Sequence, residues 1–235
     1  MILDKKLETA KLCSIQNNYE LAINEYSEIL EEMSEVSDAD LKKNEIFIEY
    51  ADVLIKNFTE EAGRSLKLLL ENSTAGFDMG DSDLEIAWDV TQIALQTFTD
   101  SKNGEKVREC HKLLGEILLL NNNFLGAISE FETIFSENLE KSEKIFILGK
   151  IGQCYEFLED EKFKEFYQKI IEISDDEEEK QAYKDLIDFF QEKKNVREVL
   201  KNMKPKVVDK FDEDEEFVDL TENVVTKSNP SDNFE

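Results

Sequence analysis

The sequence predicts an all-α protein, a superhelical array of four helix pairs. The second pair is interrupted by a short acidic insertion, and a long C-terminal helix caps the array. Three observations carry this expectation. Only 2 prolines occur in 235 residues, Pro205 and Pro230, so more than two hundred residues precede the first strong helix breaker. Hydrophobic residues make up 40% of the chain, enough for a sizeable core. Finally, one motif recurs: a small residue in a helix, a polar turn, an aromatic, then a small residue in a second helix.

The first pair reads ETAKLCSIQNNYELAINEYSEIL, with Ala10 and Ala22 as the small residues. The third reads LLGEILLLNNNFLGAISEFETIF. Setting Gly115 on Ala10 puts Phe124 on Tyr19, Ala127 on Ala22 and Phe131 on Tyr26. Glycine costs a helix about 1 kcal/mol relative to alanine. Gly115 is therefore expected where its helix approaches the one carrying Ala127. The second pair is split between KNEIFIEYADVLIKNF, with Ala51 small, and LEIAWDVTQIALQTF, with Ala87 small and Trp88 expected in the core. In the fourth pair Gly152 is the first small residue; Phe163 is expected after a turn two residues longer, with Phe166 at the second small site. The second-helix sites Ala22, Ala87, Ala127 and Phe166 are 65, 40 and 39 residues apart. The long first interval locates an insertion at about 58–82.

From Ser174, a plausible N-cap, the final helix is expected over about 175–202, with Asp175 to Glu179 at the positive end of its dipole. Its Leu186, Phe189, Phe190, Val196 and Leu200 are expected to cover the open end of the array. Residues 203–235 hold ten acids and four bases and are expected to form a disordered acidic tail.

Composition narrows the function. The formal charge is −27, which repels nucleic acid and anionic membranes and attracts basic partners. Cys13, Cys110 and Cys154 are an odd set without paired spacing, as expected in a reducing compartment. No apolar run approaches a membrane span, and MILDKKLETA turns charged too early for a signal peptide. A soluble intracellular protein is expected. His111 is the lone histidine and reads as a surface residue beside Cys110. No phosphate loop or nucleophile elbow occurs, so neither enzyme activity nor a cofactor is expected.

Offsets −6, −3, +1 and +4 from each first-helix small residue fall on one helical stripe, expected to line a groove. These positions are Asp4, Leu7, Lys11 and Ser14; Glu45, Ile48, Asp52 and Ile55; Glu109, Lys112, Glu116 and Leu119; and Phe146, Gly149, Gln153 and Glu156. Six acids face two bases, a composition suited to a Lys- or Arg-rich segment with apolar anchors. Two further acidic elements are Glu71, Asp78, Asp81, Asp83 and Glu85 of the insertion, and Asp212, Glu213, Asp214, Glu215 and Glu216 of the tail, flanked by Phe211 and Phe217. Val218–Thr221, VDLT, looks like a ubiquitin-like-modifier interaction motif.

The small/aromatic pattern resembles the tetratricopeptide repeat. The interruption, with EYADVL (Glu49–Leu54), AWDVTQIAL (Ala87–Leu95) and LLGEILLLNNNFLGAISEFE (Leu113–Glu132), resembles the interrupted-tetratricopeptide histone chaperones of the nuclear autoantigenic sperm protein family. The resemblance covers about residues 3–202. It implies binding of histone H three, alone or with H four, through groove and insertion, without catalysis. Glu116 is the position it carries over best. It also implies a nuclear protein with a cytoplasmic pool, contacts with other histone chaperones or a histone acetyltransferase complex, and room for a homodimer. The short insertion departs from the family, as does the weak basic import signal of Lys201, Lys204 and Lys206. The competing expectation is an adaptor or co-chaperone that docks an acidic peptide; it needs a cationic groove.

Overall fold

The computed structural model describes residues 2–70, 82–136 and 138–202. All regular structure among them is helical: α1 (Ile2–Ile15), α2 (Tyr19–Glu32), α3 (Leu41–Leu70), α4 (Ser82–Asp100), α5 (Gly104–Leu120), α6 (Phe124–Ile134), α7 (Lys141–Phe157), α8 (Phe163–Ile173) and α9 (Glu177–Asn202). Residues through Phe190 form one compact unit, and Gln191 begins a second. In the first unit α1 packs on α2, α3 on α4, α5 on α6 and α7 on α8, and each pair stacks on the next. This is an all-α helical repeat array.

The small sites are where the helices meet. Ala10, Ala22, Ala51, Ala87 and Ala127 are all fully buried. Gly115 is more specific than a close backbone approach: a Cβ there would lie 2.7 Å from Cζ of Phe131. The ring itself occupies the space that the glycine leaves. Gly152 receives the ring of Tyr167 in the same way.

That contact corrects the register of the fourth pair. Buried Ala127, Phe131 and Ile134 of α6 correspond to buried Phe163, Tyr167 and Ile170 of α8. Phe163, not Phe166, therefore stands at the second small site, while the turn between α7 and α8 is two residues longer than that between α5 and α6, as expected. Phe166 faces outward enough to stack on Tyr155, with centroids 5.4 Å apart. A large Phe163 is tolerated because it meets Phe190 of α9 at 5.2 Å.

Four inter-helix turns share one closing device. Asn17, Lys102, Asn122 and Glu159 adopt φ of 59°, 57°, 58° and 55°. In each turn the next residue's N–H donates to a carbonyl five residues back, as Asn103 does to Phe98 at 2.9 Å and Asn123 to Leu118 at 2.8 Å. This is the Schellman arrangement, which favours glycine or asparagine at the left-handed position. Asn103 and Asn123 then cap the following helices by accepting from the N–H of Lys106 and Gly126. Lysine at 102 carries a left-handed strain of about 1–2 kcal/mol, partly offset in any glycine variant by a looser unfolded chain. Lys102→Gly is expected to raise Tm by about 2 °C in a thermal melt; an unchanged or lower Tm contradicts this role for the turn.

The excess length of the second pair is partly helix. α3 continues to Leu70, well into the expected insertion, because TEEAGRSLKLLL is rich in helix formers. Buried Asn57 of α3 donates to Asp83 in the first turn of α4 at 3.4 Å, fastening the two helices beyond the interruption. Trp88 is half-buried against the first core cluster.

The cap of α9 also differs from expectation. Asp176, not Ser174, accepts from the N–H groups of Glu178 and Glu179. Ser174 ends α8 and tethers α9 by donating to Glu179 at 2.5 Å. Tyr183, Ile187 and Phe190 cover the α7–α8 pair, while Phe189 is 58% exposed and Leu186 37%. Val196 and Leu200 belong to the second unit.

Candidate functional site

Four adjoining cavities run along the face carried by α3, α5, α7 and the start of α9. The first, about 640 Å³, lies between α3 and α5 and reaches α7. Ile48, Glu49 and Asp52 line one wall, Arg108, Glu109, Lys112 and Glu116 another, and Glu143 and Phe146 the third. The second, about 320 Å³, is mostly apolar, with Ile55, Leu119, Leu120, Phe124 and Phe157 around Glu116, Lys150 and Gln153. The third, about 620 Å³, opens towards α9 and holds Gly149, Gln153, Glu156, Tyr167 and Tyr183. The fourth, about 550 Å³, runs from Glu116 past Asp52 and Glu60 to Tyr19.

Seven of the eight expected groove residues come together here: Asp52, Glu109, Lys112, Glu116, Leu119, Gln153 and Glu156. Glu45 does not. It is exposed and lines none of the four cavities, and its charge helps to raise the Lys106 pKa. Asp4, Leu7 and Ser14 line none of the four cavities; the first pair contributes Asn17 and Tyr19 at its turn and Lys11, which pairs with Glu49. Glu49, Glu105, Arg108, Glu143 and Lys150 line the groove without having been expected. Position −2 from the small residue, which yields Glu49 and Lys150, would have widened the stripe enough to find two of them.

Nine carboxylates and four basic side chains line the four cavities together. The excess of acid is as expected, but its arrangement is not. Glu116 pairs with Lys150 at 2.8 Å and Glu143 with Lys112 at 2.5 Å, in both cases between α5 and α7. Glu109 pairs with Lys106 at 2.7 Å, Asp52 with Lys56 at 2.6 Å and Glu49 with Lys11 at 2.8 Å. Tyr167 donates to Glu156 at 2.5 Å. The groove is thus a set of internal ion pairs with a surplus of carboxylate.

The titrating groups register the same field. The hydrogen bond from Lys112 holds the Glu143 carboxyl below its ordinary value. Burial works against the charge of Lys106, but Glu109 outweighs it and raises the ammonium pKa. Burial and then Glu49 push the Tyr26 hydroxyl up; burial and then Glu156 do so for Tyr167.

His111 is not a surface residue. Its side chain is half-buried, and Nδ1 lies 2.6 Å from Oε2 of Glu130, tying α5 to α6. All three cysteines are buried, and burial pushes the thiols of Cys110 and Cys154 up to about 12 and about 11. Neither supplies a thiolate nucleophile near neutral pH. Among the described residues no group of three or more His, Cys, Asp or Glu is placed to hold a metal ion, and no helix is long and apolar enough to cross a membrane.

Of the acidic insertion, Asp83 and Glu85 sit in the first turn of α4, where Asp83 serves the fold by accepting from Asn57. Glu71, Asp78 and Asp81 lie outside the described residues, as do Asp212–Glu216 and the VDLT stretch. Comparison with protein-family models and with curated proteins gives no match.

Proposed function

We propose that the chain is a histone chaperone that holds histone H three, alone or paired with H four, along the groove of α3, α5 and α7. The observation that carries this reading is the surplus of nine carboxylates over four bases on one continuous surface, with apolar seats interspersed. Histone tails and helices are lysine- and arginine-rich with apolar anchors, which is the chemistry such a surface accepts. The mechanism is electrostatic shielding: carboxylates neutralise histone cations and so keep them from DNA until assembly. The resemblance of EYADVL, AWDVTQIAL and LLGEILLL to the interrupted-tetratricopeptide chaperones supports the same reading. With it go the nuclear location with a cytoplasmic pool and the contacts with other chaperones or an acetyltransferase complex.

A salt titration tests it. The protein is expected to hold the H three–H four pair at physiological ionic strength and release it as salt rises. Retention no better than that of an unrelated protein of equal positive charge overturns the proposal. Preferential capture of an acidic C-terminal peptide would instead favour an adaptor.

A further inference from the structure

One place in the groove is already occupied by cations, and they belong to the protein. Phe146 projects from α7, 37% exposed. Phe131 meets it edge-on from below, with centroids 6.4 Å apart at 80°. Lys150 Nζ lies 5.4 Å from the centre of the Phe146 ring and Lys112 Nζ 6.0 Å. Each ammonium also holds a carboxylate: Lys150 pairs with Glu116, Lys112 with Glu143. Five side chains therefore alternate across the gap between α5 and α7 as acid, base, ring, base, acid.

Resting on the chaperone reading above, we propose that this cluster is a cation seat for arginine side chains of the bound polypeptide, and that Lys112 and Lys150 are internal stand-ins displaced on binding. The chemistry of the seat is shown by what fills it: two carboxylates and a ring that accommodate cationic nitrogens. Both lysines sit on flexible four-carbon stems and retain about a quarter of their side-chain exposure, at 27% and 26%, so they can swing to solvent without repacking the core. Once displaced, both ammonium groups are hydrated at the groove mouth, and Glu105 adds a further carboxylate to the cavity that Lys112 lines.

The stand-ins set the threshold for entry, and the carboxylates and ring set the preference. A partner lysine that replaces Lys150 on Glu116 exchanges one ammonium for another and gains little. An arginine gains more: its planar fork bonds a carboxylate at two points, and its face stacks on Phe146. The seat thus rejects weakly basic or lysine-only segments and admits arginine-bearing ones, a discrimination that net charge alone does not provide.

The test uses two fluorescent peptides identical except that every cation is arginine in one and lysine in the other. The arginine peptide is expected to bind the full chain about three- to fivefold more tightly. Lys112→Met with Lys150→Met is expected to tighten both peptides about tenfold and leave the preference in place. Phe146→Leu is expected to erase most of it. The control, Lys6→Met with Lys42→Met, makes the same charge change at lysines that pair with Glu28, Glu32 and Asp4 outside the groove. Equal tightening in the control and the Lys112/Lys150 variant overturns the seat, as does an arginine preference that survives Phe146→Leu. If the histone pair still binds in those cases, the chaperone reading stands without the seat. If neither the peptides nor the histone pair bind any form, both fall. Melting curves of each variant confirm that it is folded.

Discussion

Replacing Phe131 with alanine is expected to destabilise the first unit by about 3–5 kcal/mol. The ring is fully buried among Ala127, Ile134, Ile147 and Ile151, so its removal leaves a cavity between α5, α6 and α7. Gly115 is the other half of the same contact. Gly115→Ala gains about 1 kcal/mol of helix propensity, but the new methyl would sit 2.7 Å from ring carbon Cζ of Phe131. A ring packed on all sides yields little, so a net loss of about 1–3 kcal/mol is expected. Phe131→Leu in the same chain vacates that space, and Gly115→Ala should then cost less than it does alone. Urea midpoints of both singles and the double variant close the cycle. A stabilising Gly115→Ala contradicts the contact. Phe131 also supports the edge of Phe146, so its loss should weaken ligand binding beyond the effect on stability.

The helix pairs were legible because small residues recur beside aromatics: Ala10 with Ala22, Ala51 with Ala87, Gly115 with Ala127. The fourth pair departs from the expected register for a physical reason. Phe163, Phe166 and Tyr167 fall three and four residues apart, and helical spacing alone does not say which aromatic turns inward. Only the empty side of Gly152 selects Tyr167. The interval between small sites locates the insertion by length alone and does not show that a helix-forming run carries α3 to Leu70. In the groove, counting offsets located Asp52, Glu109, Glu116 and Glu156. It did not show that Lys150 answers Glu116 or that Lys112 answers Glu143, because those pairs depend on how α7 stacks on α5. Charge summed along one helix overlooks the counter-ions that the next helix supplies.

Reversing Glu109 and Glu116 together to lysine is expected to weaken binding of the H three–H four pair about a hundredfold at physiological salt. Both carboxylates line the central cavity, and each reversal replaces an attraction with a repulsion in a partly desolvated setting, about 1.4 kcal/mol per tenfold. Net charge changes as well, from a starting value of −27, and that alone weakens binding of any basic protein. Reversing Glu28 and Glu32 of α2 makes the identical change outside the groove, where both carboxylates hold Lys6. A calorimetric titration of the histone pair into these two variants and the parent chain is the most direct test of an acidic groove as the histone site. A loss confined to the Glu109/Glu116 variant, with the Glu28/Glu32 variant within about threefold of the parent, is the expected result. Equal losses in both variants, or none in either, contradict it.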